Sequence, residues 1–131
     1  MVATVRNAWR DLSPTERKRA VLVTANYGEA GALNELGHRT GLPIAYGTQN
    51  SEWWWGPGDP HATVAMVVAP GPRDVTGYGG YLEQFFANVQ VVATLRNHAG
   101  IHNQEWGGGV YLCSGLRRSW SATWVLLRHY N

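Results

Sequence analysis

Two short stretches of this chain carry the residue types that do chemistry on a small polar ligand. Asn26-Tyr27-Gly28-Glu29-Ala30-Gly31 joins an amide, a phenol and a carboxylate to glycines that let a ligand approach the backbone. Thr48-Gln49-Asn50-Ser51-Glu52-Trp53-Trp54-Trp55-Gly56 joins amides and a carboxylate to three consecutive indoles. The second mixture suits a sugar, whose apolar C–H faces stack on aromatic rings while its hydroxyls bond to amides and carboxylates. Asn26, Tyr27, Glu29, Asn50, Trp53, Trp54 and Trp55 are therefore the candidate substrate-binding residues. Structural roles explain the same residues. A carboxylate in the first turn of a helix is stabilised by the macrodipole. Tryptophans cover sheet edges, meet partner domains or sit at the headgroup level of a membrane.

No complete catalytic set accompanies them. Of the five histidines, His38, His61, His98, His102 and His129, only His98 and His102 are four apart, and they fall in a Gly-containing loop, so no metal centre is expected. Ser114, Ser119 and Ser121 lack a nucleophile-elbow context. The single Cys113 excludes an internal disulfide, and its neighbours Val110, Tyr111 and Leu112 mark it as a buried strand thiol without a basic partner. The first stretch has neither the full G-x-G-x-x-G fingerprint nor a P-loop lysine. No cofactor is expected.

Elements must bring these stretches together. Val2, Val5, Trp9 and Leu12 have helical spacing, and Ser13-Pro14-Thr15-Glu16 has capping-box spacing with proline at the first helical position. A first strand follows at 20–24, then a helix over 27–40 with Ala30, Leu33, Leu36 and Gly37 on one face, stopped by Gly41-Leu42-Pro43. A short strand at 44–46 completes a right-handed strand-helix-strand crossover. The stretch 47–61 reads as a long loop, and 62–69 as a central strand apolar on both faces. Pro70-Gly71-Pro72 turns the chain into a short helix over 79–86. Strands at 89–95 and 109–113, separated by the polar segment 96–108, have no helix between them and so fit an antiparallel hairpin. The chain closes with a helix capped by Ser119, carrying Trp120, Trp124, Leu127 and Tyr130 on its inner stripe. The expected fold is a three-layer, Rossmann-like α/β open sheet of about five strands, mostly parallel with an antiparallel edge hairpin. In such sheets ligands collect at the carboxyl ends of the strands, where both chemical stretches lie.

Composition fits one domain over residues 1–131, with 1–19 as a helical entry segment. The 131 residues are 44% hydrophobic and 15% charged, apolar enough to exclude disorder. A net charge of +2 is too small for a nucleic-acid footprint, and Arg17-Lys18-Arg19 and Arg117-Arg118 read as solvated ends of elements. No run of residues approaches a membrane span.

In sequence, Thr24 to Leu33, Gly41-Leu42-Pro43 and Asn50-Ser51-Glu52-Trp53-Trp54-Trp55-Gly56 resemble the C-terminal soluble region of bacterial membrane glycosyltransferases that use polyprenyl-phosphate sugars, of the protein mannosyltransferase and aminoarabinose transferase type. The closing stretch from Leu112 to Trp120, with Trp124, Arg128, His129 and Tyr130, is similar to the way such chains end. The likeness runs from Ala20 onward. It departs at Thr48-Gln49-Asn50, where the family pattern is Ser-Gly-His-Asn. The resemblance implies a domain on the extracytoplasmic face of the membrane, further chain ahead of Met1, and a membrane-embedded portion of the same parent chain as partner. It also implies a polyprenyl-phosphate sugar or a glycan acceptor as ligand, and catalytic acids located elsewhere in the parent. The residues alone leave two other readings: a stand-alone α/β enzyme or binding protein for a phosphorylated metabolite, and an interaction module built on the Trp loop.

Overall fold

In the computed structural model, residues 1–25, 27–69, 77–95 and 108–128 are described. The chain enters through helix α1 (Val2–Arg10) and helix α2 (Pro14–Arg19). The expected capping box starts α2: Ser13 Oγ accepts from the Glu16 N–H at 3.1 Å, and Glu16 Oε1 accepts from the Ser13 N–H at 3.2 Å. Two otherwise orphaned amides are thereby satisfied.

Strand β1 (Ala20–Thr24) lies between β2 (Ala45–Gly47) and β3 (Val64–Ala69), parallel to both. β4 (Phe86–Thr94) and β5 (Gly109–Leu116) form an antiparallel hairpin, and β5 inserts beside β3, giving the order β2-β1-β3-β5-β4. The sheet is thus an even mix, with two parallel and two antiparallel pairings, and not mostly parallel as expected. A hairpin needs no crossover, so its second strand joins β3 in the opposite sense. The hairpin is also longer than the apolar runs suggested: β4 starts at Phe86, and β5 continues past Cys113 through Gly115, whose φ of 71° favours glycine.

Each face of the sheet carries its own apolar cluster. On one, Val21, Val23, Ala65, Val67, Tyr111 and Cys113 meet Leu82 of helix α4 (Gly77–Leu82) and Trp120, Trp124 and Leu127 of helix α5 (Trp120–Leu127). On the other, Leu22, Met66, Val68 and Val110 meet Val5, Ala8 and Trp9 of α1, together with Leu33 and Leu42. The alternation of β1 and β3 between these clusters is the period-two pattern of strands buried on both faces. Ser119 caps α5 as expected, accepting from the Ala122 N–H at 3.2 Å.

The helix predicted over 27–40 is three segments. Helix α3 (Tyr27–Ala32) passes into a π-helical turn (Leu33–Gly37) and a 3₁₀ turn (His38–Thr40). The wider turn keeps Ala30, Leu33 and Gly37 inside but rotates Leu36 outward, where it is 61% exposed. The turn also aims Asn34 at β2: its Oδ1 accepts from the Ala45 N–H at 2.7 Å and its Nδ2 donates to the Ala45 carbonyl at 3.0 Å. A side-chain amide thus takes the place of a neighbouring strand at that edge. The turn at Pro70-Gly71-Pro72, the polar segment 96–107, His98, His102, His129 and Tyr130 lie outside the described residues.

Candidate functional site

The sheet order changes direction at β1, because β2 lies on one side of it and β3 on the other. The carboxyl ends of β1 and β3 therefore form a switch point, the usual location for ligands in an α/β sheet. Three segments leave the carboxyl ends of the parallel strands, and each contributes one polar residue to a common node. Glu29 comes from α3 after β1, Thr48 follows β2, and Tyr78 comes from α4 after β3.

Two of these three residues are closed to solvent, and Tyr78 is half-buried. Glu29 is 0% exposed, and Thr24 and Thr48 are also buried. Thr48 donates to the Thr24 carbonyl through its N–H at 3.0 Å and its hydroxyl at 3.2 Å, tying the start of the Trp loop to the end of β1. Tyr78 is hydrogen-bonded to the Thr48 side chain. Burial pushes the Tyr78 phenol well above its ordinary value, and the charges of Tyr81 and Glu29 act in the same direction, while the Thr48 bond opposes them. Burial also raises the phenols of Tyr81 and Tyr111. Cys113 on the same face is buried, and its thiol is pushed up to about 12, which keeps it protonated and unreactive at neutral pH.

The Trp loop takes the opposite course. It contains a 3₁₀ segment (Asn50–Trp55) whose last three residues divide between two roles. Trp53 turns inward and stacks on Trp124 of α5, with ring centroids 6.3 Å apart and planes 7° apart. The pair is locked reciprocally: Trp53 Nε1 donates to the Trp124 carbonyl at 2.8 Å, and Trp124 Nε1 donates to the Trp53 carbonyl at 3.3 Å. Trp120 Nε1 donates to the Pro57 carbonyl at 2.6 Å and fixes the returning limb. Gly58 permits that return, because its φ is 74° and a Cβ there would stand 2.7 Å from the Tyr46 ring.

Trp54 and Trp55 face solvent, 68% and 78% exposed. Trp54 meets Trp53 edge to face at 5.2 Å, ending an aromatic series that runs from Phe86 through Trp120, Trp124 and Trp53 to the surface. The Arg128 guanidinium lies over both indoles, 5.0 Å from the Trp53 centroid and 4.7 Å from that of Trp54. Such a cation over aromatic faces contributes about 0.5–1 kcal/mol at an exposed site.

Of the seven expected site residues, then, Trp53 and Trp54 are brought together, Trp55 adjoins them, and Glu29 is withdrawn into the node. Asn26 lies outside the described residues, as do the side chains of Tyr27 and Asn50. Glu29, expected to face a ligand, is instead fully buried, and its charge is felt by Tyr78. Arg128, Trp124, Thr48 and Tyr78 were not among the candidates. The four-residue spacing of Trp124 and Arg128 on the closing helix puts them on one face and could have singled them out. Nothing local connects Tyr78 to Glu29.

Among the described residues, no group of three or more His, Cys, Asp or Glu is placed to hold a metal ion, and no helix is long and apolar enough to cross a membrane. Comparison with protein-family models, curated proteins and solved structures gives no match to this chain.

Proposed function

We propose that this chain is the soluble accessory domain of a membrane glycosyltransferase, assisting the binding of a glycan acceptor or a sugar-phosphate and carrying no catalysis by itself. The observation that carries this reading is the display of Trp54 and Trp55 on a base fixed by Trp53, Trp124 and Arg128. An exposed Trp54 indole held by Trp53 and Arg128, with the exposed Trp55 beside it, gives a sugar's C–H face a platform at little entropic cost. The sequence resemblance supplies the class of parent enzyme, the extracytoplasmic location and the membrane-embedded partner portion, and with them a three-layer, Rossmann-like architecture.

The test is an NMR titration of the indole N–H signals with mannose oligosaccharides and with a short-chain polyprenyl-phosphate mannose. The Trp54 and Trp55 signals shift, while that of Trp120, engaged by Pro57, stays fixed. If none of these compounds moves the Trp54 and Trp55 signals, the sugar-binding reading fails. The exposed Val125 and Leu126 on α5 favour a second reading, a protein interaction module in which the Trp turn and the outer face of α5 meet another polypeptide.

A further inference from the structure

The two edges of the sheet are treated very differently. At the β2 edge the strand is three residues long, and the Asn34 amide occupies both the N–H and the carbonyl of Ala45. At the other edge β4 runs for nine residues, Phe-Ala-Asn-Val-Gln-Val-Val-Ala-Thr, without a charged residue or a proline. Ala87, Asn88, Gln90, Val91 and Val92 are all exposed along it, Val91 by 58%. Charges, prolines, shortness and cover are the usual means of preventing strand addition at an edge, and β4 has only one interruption, a bulge between Val91 and Ala93.

Up to that bulge the strand is complementary to itself. Val89 and Val91 pair with Cys113 and Tyr111, which belong to the cluster under α4 and α5, whereas Gln90 pairs with Leu112 on the opposite face. Alternation then puts Ala87, Val89 and Val91 on one face, and Asn88 and Gln90 on the other. An antiparallel copy centred on Val89 sets Val89 against its own equivalent and Ala87 against Val91, an unbroken apolar row. On the opposite face Asn88 meets Gln90 twice, amide against amide. No like charges, which destabilise a cross-strand pair, are brought together.

We propose that β4 is a homodimer edge, pairing antiparallel with β4 of a second copy about a twofold axis at Val89 to form one continuous ten-stranded sheet. The interface is isologous and closes at two chains, and the bulge after Val91 ends the paired run. This surface is remote from the Trp turn in sequence and in sheet position, and the proposal is independent of any glycan ligand.

Sedimentation equilibrium tests it across the micromolar range. The wild-type chain moves from its monomer mass of 14.5 kDa to twice that mass as concentration rises. Asn88 and Gln90 are exposed, so their substitution leaves the fold intact. Asn88→Lys with Gln90→Lys places lysines opposite each other twice and weakens dimerisation about tenfold. Asn88→Glu with Gln90→Lys makes the same positions complementary and retains the dimer. A monomer at every concentration, masses that keep rising beyond two chains, or equal association of the two double variants would overturn the proposal.

Discussion

The turns leaving β1 and β2 start side by side, joined by the Thr48-to-Thr24 hydrogen bonds, yet one folds its chemistry inward and the other outward. Glu29 is sealed against Tyr78, whereas Trp54 and Trp55 project into water. The usual assignment of polar residues to the surface and aromatic residues to the interior is thereby reversed at the carboxyl end of the sheet. A buried carboxylate needs structure around it, and an exposed indole pair needs a rigid support, so each inversion has a partner that maintains it. Tyr78 and Thr48 surround the first, and Trp53, Trp124 and Arg128 support the second.

The contrast can be broken from either side. The largest effect belongs to the inward turn: Glu29→Ala empties a fully buried volume beside Tyr78 and costs about 2–4 kcal/mol of stability in urea unfolding. At the base of the outward turn, Trp53→Phe removes the indole donor to the Trp124 carbonyl and costs about 1–2 kcal/mol by the same measurement.

The third effect is a pH dependence from the buried side. The Cys113 thiol is raised from its ordinary 9.0 to about 12, so the unfolded chain loses this proton before the folded one does. Its contribution to stability is complete below pH 9 and is lost as pH climbs from there towards 12. Unfolding followed between pH 9 and 10 shows about 1 kcal/mol of decline, which Cys113→Ala flattens. Above pH 10 the raised Tyr78 phenol adds to the slope. The smallest effects on stability come from the displayed rings: Trp54→Ala, which gives up the Arg128 contact, loses about 0.5–1 kcal/mol, and Trp55→Ala stays within about 0.5 kcal/mol of wild type. Yet each reduces the response to the mannose compounds. Equal stability losses at Trp53 and Trp54 would remove the distinction between support and display.

Much of the scaffold was legible where the signal is local. The capping box at Ser13, the apolar run of β1, the Ser119 cap and the inner stripe of Trp120, Trp124 and Leu127 all stand as read. Each depends on neighbours within a turn or on simple periodicity. The misplacements came from long-range competition. Leu36 has helical spacing, but the π-helical turn that aims Asn34 at Ala45 rotates it outward. Phe86 looked like the end of a helix, yet pairing with Leu116 draws it into β4. The candidate site was half visible: the indoles declared themselves by their rarity. The division among them did not, because it is set by Trp124 and Arg128, and the burial of Glu29 has no signal in its sequence neighbours.

The Trp53–Trp124 lock spans 71 residues of sequence. During synthesis, the segment holding Trp53, Trp54 and Trp55 is made long before the helix that receives it. The three indoles therefore wait as a hydrophobic stretch without their α5 partner until that helix has been made. Until α5 is made and docked, Trp53 has no ring to stack on and Trp54 no fixed base, so the display of Trp54 reports that α5 is in place.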